Sequence, residues 1–133
     1  PVDAEAAAFV DKLIREEPVL LFALEWCEFC WATRKLFKAH GIPYRSIDLD
    51  SVAMQAEDWG GRVRRAVGAR AGGPTIPQVF IGGELIGGNA EMFEAARSGD
   101  LARRLKAAGV AFDADAKVDY ASLLPKWLKQ KAA

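Results

Sequence analysis

The sequence predicts an α/β fold in which helices flank a central four-stranded mixed sheet. Three observations predict it. Val19-Leu20-Leu21-Phe22-Ala23-Leu24 is continuous and apolar, as in a strand buried on both faces. A helix-like segment, Trp31 to His40, follows it and leads to an alternating stretch, Pro43 to Leu49. Two short runs, Val79-Phe80-Ile81 and Glu84-Leu85-Ile86, flank Gly82-Gly83.

The elements follow in order. Residues 4–17 read as a first helix, because Ala6, Phe9, Val10, Leu13 and Ile14 share one face. Asp3 is its expected N-cap and Pro18 stops it. The run from Val19 is the first strand. The helix carrying the two cysteines ends at His40-Gly41, with Gly41 as C-terminal cap. Pro43 to Leu49 is the second strand. Strand, helix, strand at these lengths is a βαβ unit, so the two strands should be parallel. Ser51 to Gly61 reads as loop with a short helical turn. Arg62 to Val67 reads as helix and fades at Gly72-Gly73. Gly82-Gly83 suits a tight hairpin, whose favoured turns need positive φ. Asn89 is placed as the cap of a helix to Arg97 closed by Gly99, and Asp100 as the cap of another, Leu101 to Ala108, closed by Gly109.

From Val110 onward there is a tail. Tyr120, Leu123, Leu124, Trp127 and Leu128 make an apolar stripe with Lys126, Lys129 and Lys131 nearby. The stripe is expected to dock onto its own domain. Pro125 interrupts it, which argues against a membrane-surface helix. No residue of the tail looks suited to take part in the chemistry.

A chain of 133 residues is long enough for one domain with a real core. Lys and Arg number 18, as do Asp and Glu, and this zero balance argues against a general nucleic-acid binder. No apolar run approaches the length that spans a bilayer. Pro1 to Glu5 lacks the features of a secretion signal. One closely spaced cysteine pair with no further cysteine suits a reducing compartment, so a cytoplasmic location is expected.

Cys27-Glu28-Phe29-Cys30 carries the chemistry. A strand feeding a helix whose first turn holds both sulfurs places the first thiol where helix N–H groups and the macrodipole favour negative charge. The second lies one turn on, close enough to close a disulfide. This is the layout of a thiol–disulfide oxidoreductase. A structural zinc site needs four ligands, and His40 is the only other soft ligand, so no metal site is expected within the chain. A purely structural disulfide would close a loop too small to constrain the unfolded chain.

Thr75-Ile76-Pro77-Gln78-Val79-Phe80-Ile81-Gly82-Gly83-Glu84-Leu85-Ile86-Gly87-Gly88, with the cysteines, resembles the glutaredoxins of the thioredoxin-like superfamily. The resemblance covers roughly residues 18 to 108 and rests on two separated motifs in the right order. It makes residues 1–109 a glutaredoxin-like domain of thioredoxin-like fold and residues 110–133 a C-terminal extension. It also implies a dithiol-type enzyme. Cys27 would attack disulfides and glutathione mixed disulfides, and Cys30 would resolve the product. The proline of Thr75-Ile76-Pro77 is implied to be cis, leaving the backbone of Ile76 free to pair with the cysteine of glutathione. Gly87-Gly88-Asn89-Ala90-Glu91 matches the segment whose N–H groups receive the γ-glutamyl carboxylate and whose acidic side chain meets the ammonium group. Arg64 falls where the family binds the glycine carboxylate of glutathione, with a solvated basic face as the plainer alternative.

The chain departs from the family pattern at Leu24, where many members carry Lys, and at Glu28 and Phe29, where most dithiol members carry Pro and Tyr. A carboxylate beside the sulfur and the loss of a nearby cation both oppose the thiolate, so a less acidic nucleophile is expected. Trp26 and Trp31 bracket the site, with Trp31 expected to serve packing. A Trp before the first cysteine also occurs in thioredoxins, but the Gly-Gly segment favours glutathione. Expected partners are glutathione and glutathionylated or disulfide-bonded proteins, acted on by a monomer. A second function resembles that of family members which bind a [2Fe–2S] cluster between two chains through the first cysteine and glutathione. That would make the chain a dimeric iron–sulfur carrier.

Overall fold

The computed structural model describes residues 2–128. Asp3 opens α1 (Ala4–Glu16) by accepting the Ala6 N–H at 2.7 Å, as a capping aspartate should. The same carboxylate meets Arg62 Nε at 2.8 Å, which joins α1 to α3 (Trp59–Ala71). The Arg62 hydrogen bond, followed by that from Ala6, holds the Asp3 carboxyl below its usual range.

β1 (Val19–Ala23) is buried at every position. It pairs in parallel with β2 (Arg45–Asp48), Phe22 opposite Ile47, and antiparallel with β3 (Gln78–Ile81), Leu20 opposite Phe80. β4 (Glu84–Gly87) closes the edge, giving the order β2-β1-β3-β4. The sheet is mixed and four-stranded, as expected. Gly82 and Gly83 make the hairpin turn with φ of 59° and 82°, a conformation that side chains with a Cβ resist.

Alternation along β1 divides the core. Val19, Leu21 and Ala23 face α2 (Glu28–Ala39), α4 (Asn89–Ser98) and α5 (Asp100–Ala107), where Leu36, Phe37, Met92, Phe93 and Leu105 are buried. Leu20 and Phe22 face α1 and α3, against Val10, Ile14, Val63 and Val67. Each such side chain stabilises the fold by roughly 1.5–3 kcal/mol before entropy is counted. This three-layer arrangement holds the start of α2, the turn before β3 and the start of α4 at one end of the sheet.

Several boundaries differ from expectation. The second strand is shorter than Pro43 to Leu49. α3 begins at Trp59 rather than Arg62, after two 3₁₀ turns, Val52–Met54 and Ala56–Asp58. Gly60 explains the early start: a Cβ there would lie 2.0 Å from the Leu49 carbonyl oxygen, so packing requires glycine where propensity argues against helix. Asn89 and Asp100 are first residues of their helices, with Gly88 and Gly99 at the cap positions. Asp100 instead pairs with Arg103 and Arg104 in its own first turn.

The tail docks on the domain. The Asp113 N–H donates to the His40 carbonyl at 2.7 Å, and the Tyr120 hydroxyl lies 2.7 Å from His40 Nε2. The short α6 (Tyr120–Leu123) and Leu124 pack against the α2–α4 core, and the Arg97 guanidinium lies over the rings of Phe93 and Tyr120. Lys129 and Lys131 lie outside the described residues.

Candidate functional site

Cys27 stands at the N-cap of α2, extended at φ −154° and ψ 115°. Its Sγ accepts the Cys30 N–H at 3.3 Å, taking the place of a capping oxygen at the positive end of the helix. Cys27 is partly exposed and Cys30 is fully buried; both are free thiols. Burial, and next the hydrogen bond to Cys27, push the Cys30 thiol up to about 12. The two sulfurs are therefore unequal: one is reachable and faces the helix terminus, and the other is enclosed and holds its proton.

The turn before β3 adjoins α2. The Ile76–Pro77 peptide bond is cis, as the resemblance implies. The Ile76 N–H and C=O make no hydrogen bond among the described residues, which leaves both open. Gln78, nearly buried, donates from Nε2 to the Thr75 carbonyl at 3.0 Å and to Thr75 Oγ1 at 3.1 Å, fixing this turn from below.

A cleft of about 590 Å³ opens between these segments. Phe29, Thr75, Ile76, Pro77, Gly88, Asn89 and Glu91 line one part of it, and Arg97, Leu124 and Leu128 another. At the start of α4, Glu91 Oε1 accepts the Gly88 N–H at 2.8 Å. The Asn89 side chain turns inward, its Oδ1 accepting from the buried Thr33 hydroxyl at 3.0 Å, so Asn89 presents backbone rather than side chain to a ligand.

Six of the expected site residues thus share one cleft; Cys27 and Cys30 are not among its lining residues, which reach the cysteine segment at Phe29. Arg64 does not line the cleft either. It lies in a neighbouring groove with Gly61, Arg65, Gly68, Gly73 and Pro74, its guanidinium 3.5 Å from the Pro74 carbonyl. Pro74 and Thr75 connect the two.

Sequence reasoning missed the tail. Leu124 and Leu128 form a wall of the cleft. Trp127 places its ring edge-to-face on Phe29, centroids 5.9 Å apart, and its indole N–H donates to the Glu28 carboxylate. The tail thus docks on the domain as expected and in addition reaches the segment between the cysteines. The stripe was visible in the sequence, but its partner, the Glu28-Phe29 pair between the cysteines, lies about a hundred residues away. Trp31 also differs from expectation. It remains 39% exposed, set against Trp26 at 6.0 Å and donating to the Glu25 carbonyl at 2.7 Å. The core beneath α2 is already filled by Cys30, Ala32, Leu36 and Phe37.

The sequence profile of the family described as "Glutaredoxin" matches residues 19–86. Glutaredoxin-C3 of Oryza sativa subsp. japonica is 34% identical over 115 residues, 82% of this chain and 83% of that protein. Monothiol glutaredoxin-S10 of the same plant is 31% identical over 96 residues, 72% of this chain but only 56% of that protein. The crystal structure of a buckwheat glutaredoxin–glutathione complex superposes with a TM-score of 0.71 at 33% identity, covering 79% of this chain and 91% of that one. The matches span both cysteines and the Thr75-Ile76-Pro77 turn on a shared fold, and the chain belongs to the glutaredoxin family.

Proposed function

We propose that this chain is a glutathione-dependent thiol–disulfide oxidoreductase acting through Cys27. One observation carries the proposal: Cys27 Sγ is partly exposed at the N-cap of α2 and accepts the Cys30 N–H, and Phe29, two residues on, lines the cleft together with Ile76, Pro77, Gly88 and Glu91. The thiolate is the reactive form in exchange, and Cys27 is the cysteine that a substrate can reach.

In the forward direction the Cys27 thiolate attacks the glutathione sulfur of a mixed disulfide. The Cys27–glutathione disulfide forms and the substrate thiol leaves, taking up a proton. A second glutathione thiolate then attacks that disulfide, freeing Cys27 and giving oxidised glutathione. Resolution by Cys30 would instead expel the bound glutathione and close the Cys27–Cys30 disulfide. Cys30 is enclosed and its thiol pKa is raised chiefly by burial, which disfavours it as an attacker relative to free glutathione. Ile76 offers its backbone to the cysteine of glutathione, the start of α4 its N–H groups to the γ-glutamyl carboxylate, and Arg64 its guanidinium to the glycine carboxylate. The similarity to a buckwheat protein solved with glutathione supports this choice of ligand.

The test is glutathione-dependent reduction of a small disulfide and of a glutathionylated peptide. A wild-type protein that turns over neither would sink the proposal.

A second function, cluster carriage, draws on the single reachable thiolate. No group of three or more metal-ligating side chains occurs among the described residues, so one chain offers only Cys27. A [2Fe–2S] cluster would need further thiolates from glutathione and a second copy. A visible absorption spectrum of anaerobically purified protein distinguishes the two.

A further inference from the structure

The tail residue that contacts the Cys27–Cys30 segment, Trp127, lies outside the matched family domain, residues 19–86. Glu28 is the only charged residue between the cysteines and the first residue of α2. An acidic side chain there is drawn to the unpaired N–H groups of its own helix start. Cys27 Sγ accepts one of them, the Cys30 N–H. A free Glu28 carboxylate would therefore compete with the sulfur for the positive end of the helix, and would stand as a like charge beside a thiolate.

The structure shows what prevents this. The Trp127 indole N–H takes the Glu28 carboxylate, and the Trp127 ring caps Phe29. The segment that carries Trp127 is anchored at Tyr120 by His40 and at Leu123 and Leu124 by the core. We propose that Trp127 is a positioning residue of the thiol site: it holds the Glu28 carboxylate toward the tail and leaves the start of α2 to the Cys27 sulfur. The glutaredoxin extension thereby offsets the loss of the family's proline at position 28.

The proposal rests on Cys27 as the reactive thiol, and its test does not need glutathione turnover. Reduced wild type, Trp127→Phe, Glu28→Gln and the double variant are alkylated with iodoacetamide at pH 7, and modification at Cys27 is followed by peptide mass. Phe keeps an aromatic ring beside Phe29 and removes the N–H donor together with part of the indole's area, an apolar loss that the Glu28→Gln background shares. Trp127→Phe should slow alkylation of Cys27 by roughly two- to fivefold, the scale of one charge at a helix terminus. In the Glu28→Gln background the same substitution should leave the rate unchanged. Slowing of equal size in both backgrounds, or no slowing in either, overturns the proposal. A melting temperature that falls in Trp127→Phe without any change in alkylation makes the tail contact structural only, and also overturns it. If wild type is alkylated at Cys27 yet fails to reduce disulfides with glutathione, the proposed function fails while the role of Trp127 is still decided.

Discussion

Glu91 Oε1 accepts the Gly88 N–H at 2.8 Å and so occupies one of the donors that a bound carboxylate would use at the start of α4. The family segment carries aspartate at this place, whose shorter arm ends one methylene sooner. Glu91 reaches back to the backbone N–H of the N-cap residue of its own helix, one half of a capping box, since Gly88 has no side chain to supply the other. Under the proposed function, glutathione arriving with its γ-glutamyl carboxylate would have to displace Glu91 before the freed side chain could meet the ammonium group. Glu91→Asp should keep the charge and lose the reach. The expected result is a lower KM for glutathione with a melting temperature reduced by a few degrees, since one cap contributes about 1 kcal/mol. A raised KM would show that Glu91 already serves the ligand better than Asp can.

Under the proposed function Cys27 and Cys30 have unequal roles. Cys27→Ser should abolish glutathione-dependent reduction, and Cys30→Ser should retain most of it, because the thiolate at the helix start does the attacking. Steady-state assays with a glutathionylated peptide decide it. The opposite pattern, a dead Cys30→Ser and a working Cys27→Ser, would reverse the assignment.

The fold was legible wherever local chemistry and packing agree. Asp3 caps α1, the run Val19–Ala23 is buried throughout, and Gly82-Gly83 turns the hairpin. The turn at Thr75-Ile76-Pro77 was legible through family resemblance. What escaped depends on distant partners. Gly60 reads as a helix breaker until Leu49 is seen against it, and Glu57 and Asp58 both take a left-handed φ of 54° just before α3. Asn89 reads as a cap until Thr33, buried on α2, claims its side chain. Pro125 splits the apolar stripe into Leu124 on one side and Trp127 and Leu128 on the other, and nothing local says that both sides end at the cysteine helix.

Arg64 stands beside the main cleft, held only by a 3.5 Å contact to the Pro74 carbonyl. Under the proposed function it reaches across Pro74 to a glutathione carboxylate. Arg64→Ala should weaken glutathione handling by roughly 1–3 kcal/mol, the range of a charge-assisted hydrogen bond. Its melting temperature should hardly move, because the side chain is exposed. An unchanged glutathione dependence of the rate would return Arg64 to the solvated basic face formed with Arg65.

Cys30 makes the reduced protein sensitive to alkali. Its folded pKa is raised to about 12, above the ordinary thiol value, chiefly by burial. Between those two values the unfolded chain has lost the proton that the folded chain keeps. Rising pH therefore favours unfolding, and the contribution is present in full only below the unfolded value. The stability gap between wild type and Cys30→Ala, from urea unfolding under reductant, should narrow as pH climbs above about 9. A gap constant between pH 8 and pH 10.5 would mean that Cys30 ionises in the folded state as readily as in the unfolded one.

Tyr120 anchors the tail without lining the cleft, and this makes its effect on stability separable from that of the wall. The hydroxyl meets His40 Nε2 at 2.7 Å, the ring stacks on His40 and stands edge-on to Phe93, and Arg97 lies over it. Phe112, Leu123 and Leu124 add apolar area against the core. At about 25 cal/mol per Å², burial of these rings and side chains is worth several kcal/mol before the entropy of ordering the segment is subtracted. Cutting the chain after Gly109 should lower the melting temperature by several degrees and remove the wall that Leu124 and Leu128 form. Tyr120→Phe loses only the hydroxyl, a change of about 1 kcal/mol, and should leave that wall in place. At a temperature where all are folded, Tyr120→Phe should match wild type in KM for a glutathionylated peptide, and the truncated chain should not. A truncated chain with unchanged KM would mean that the wall touches no substrate and that the tail serves stability alone.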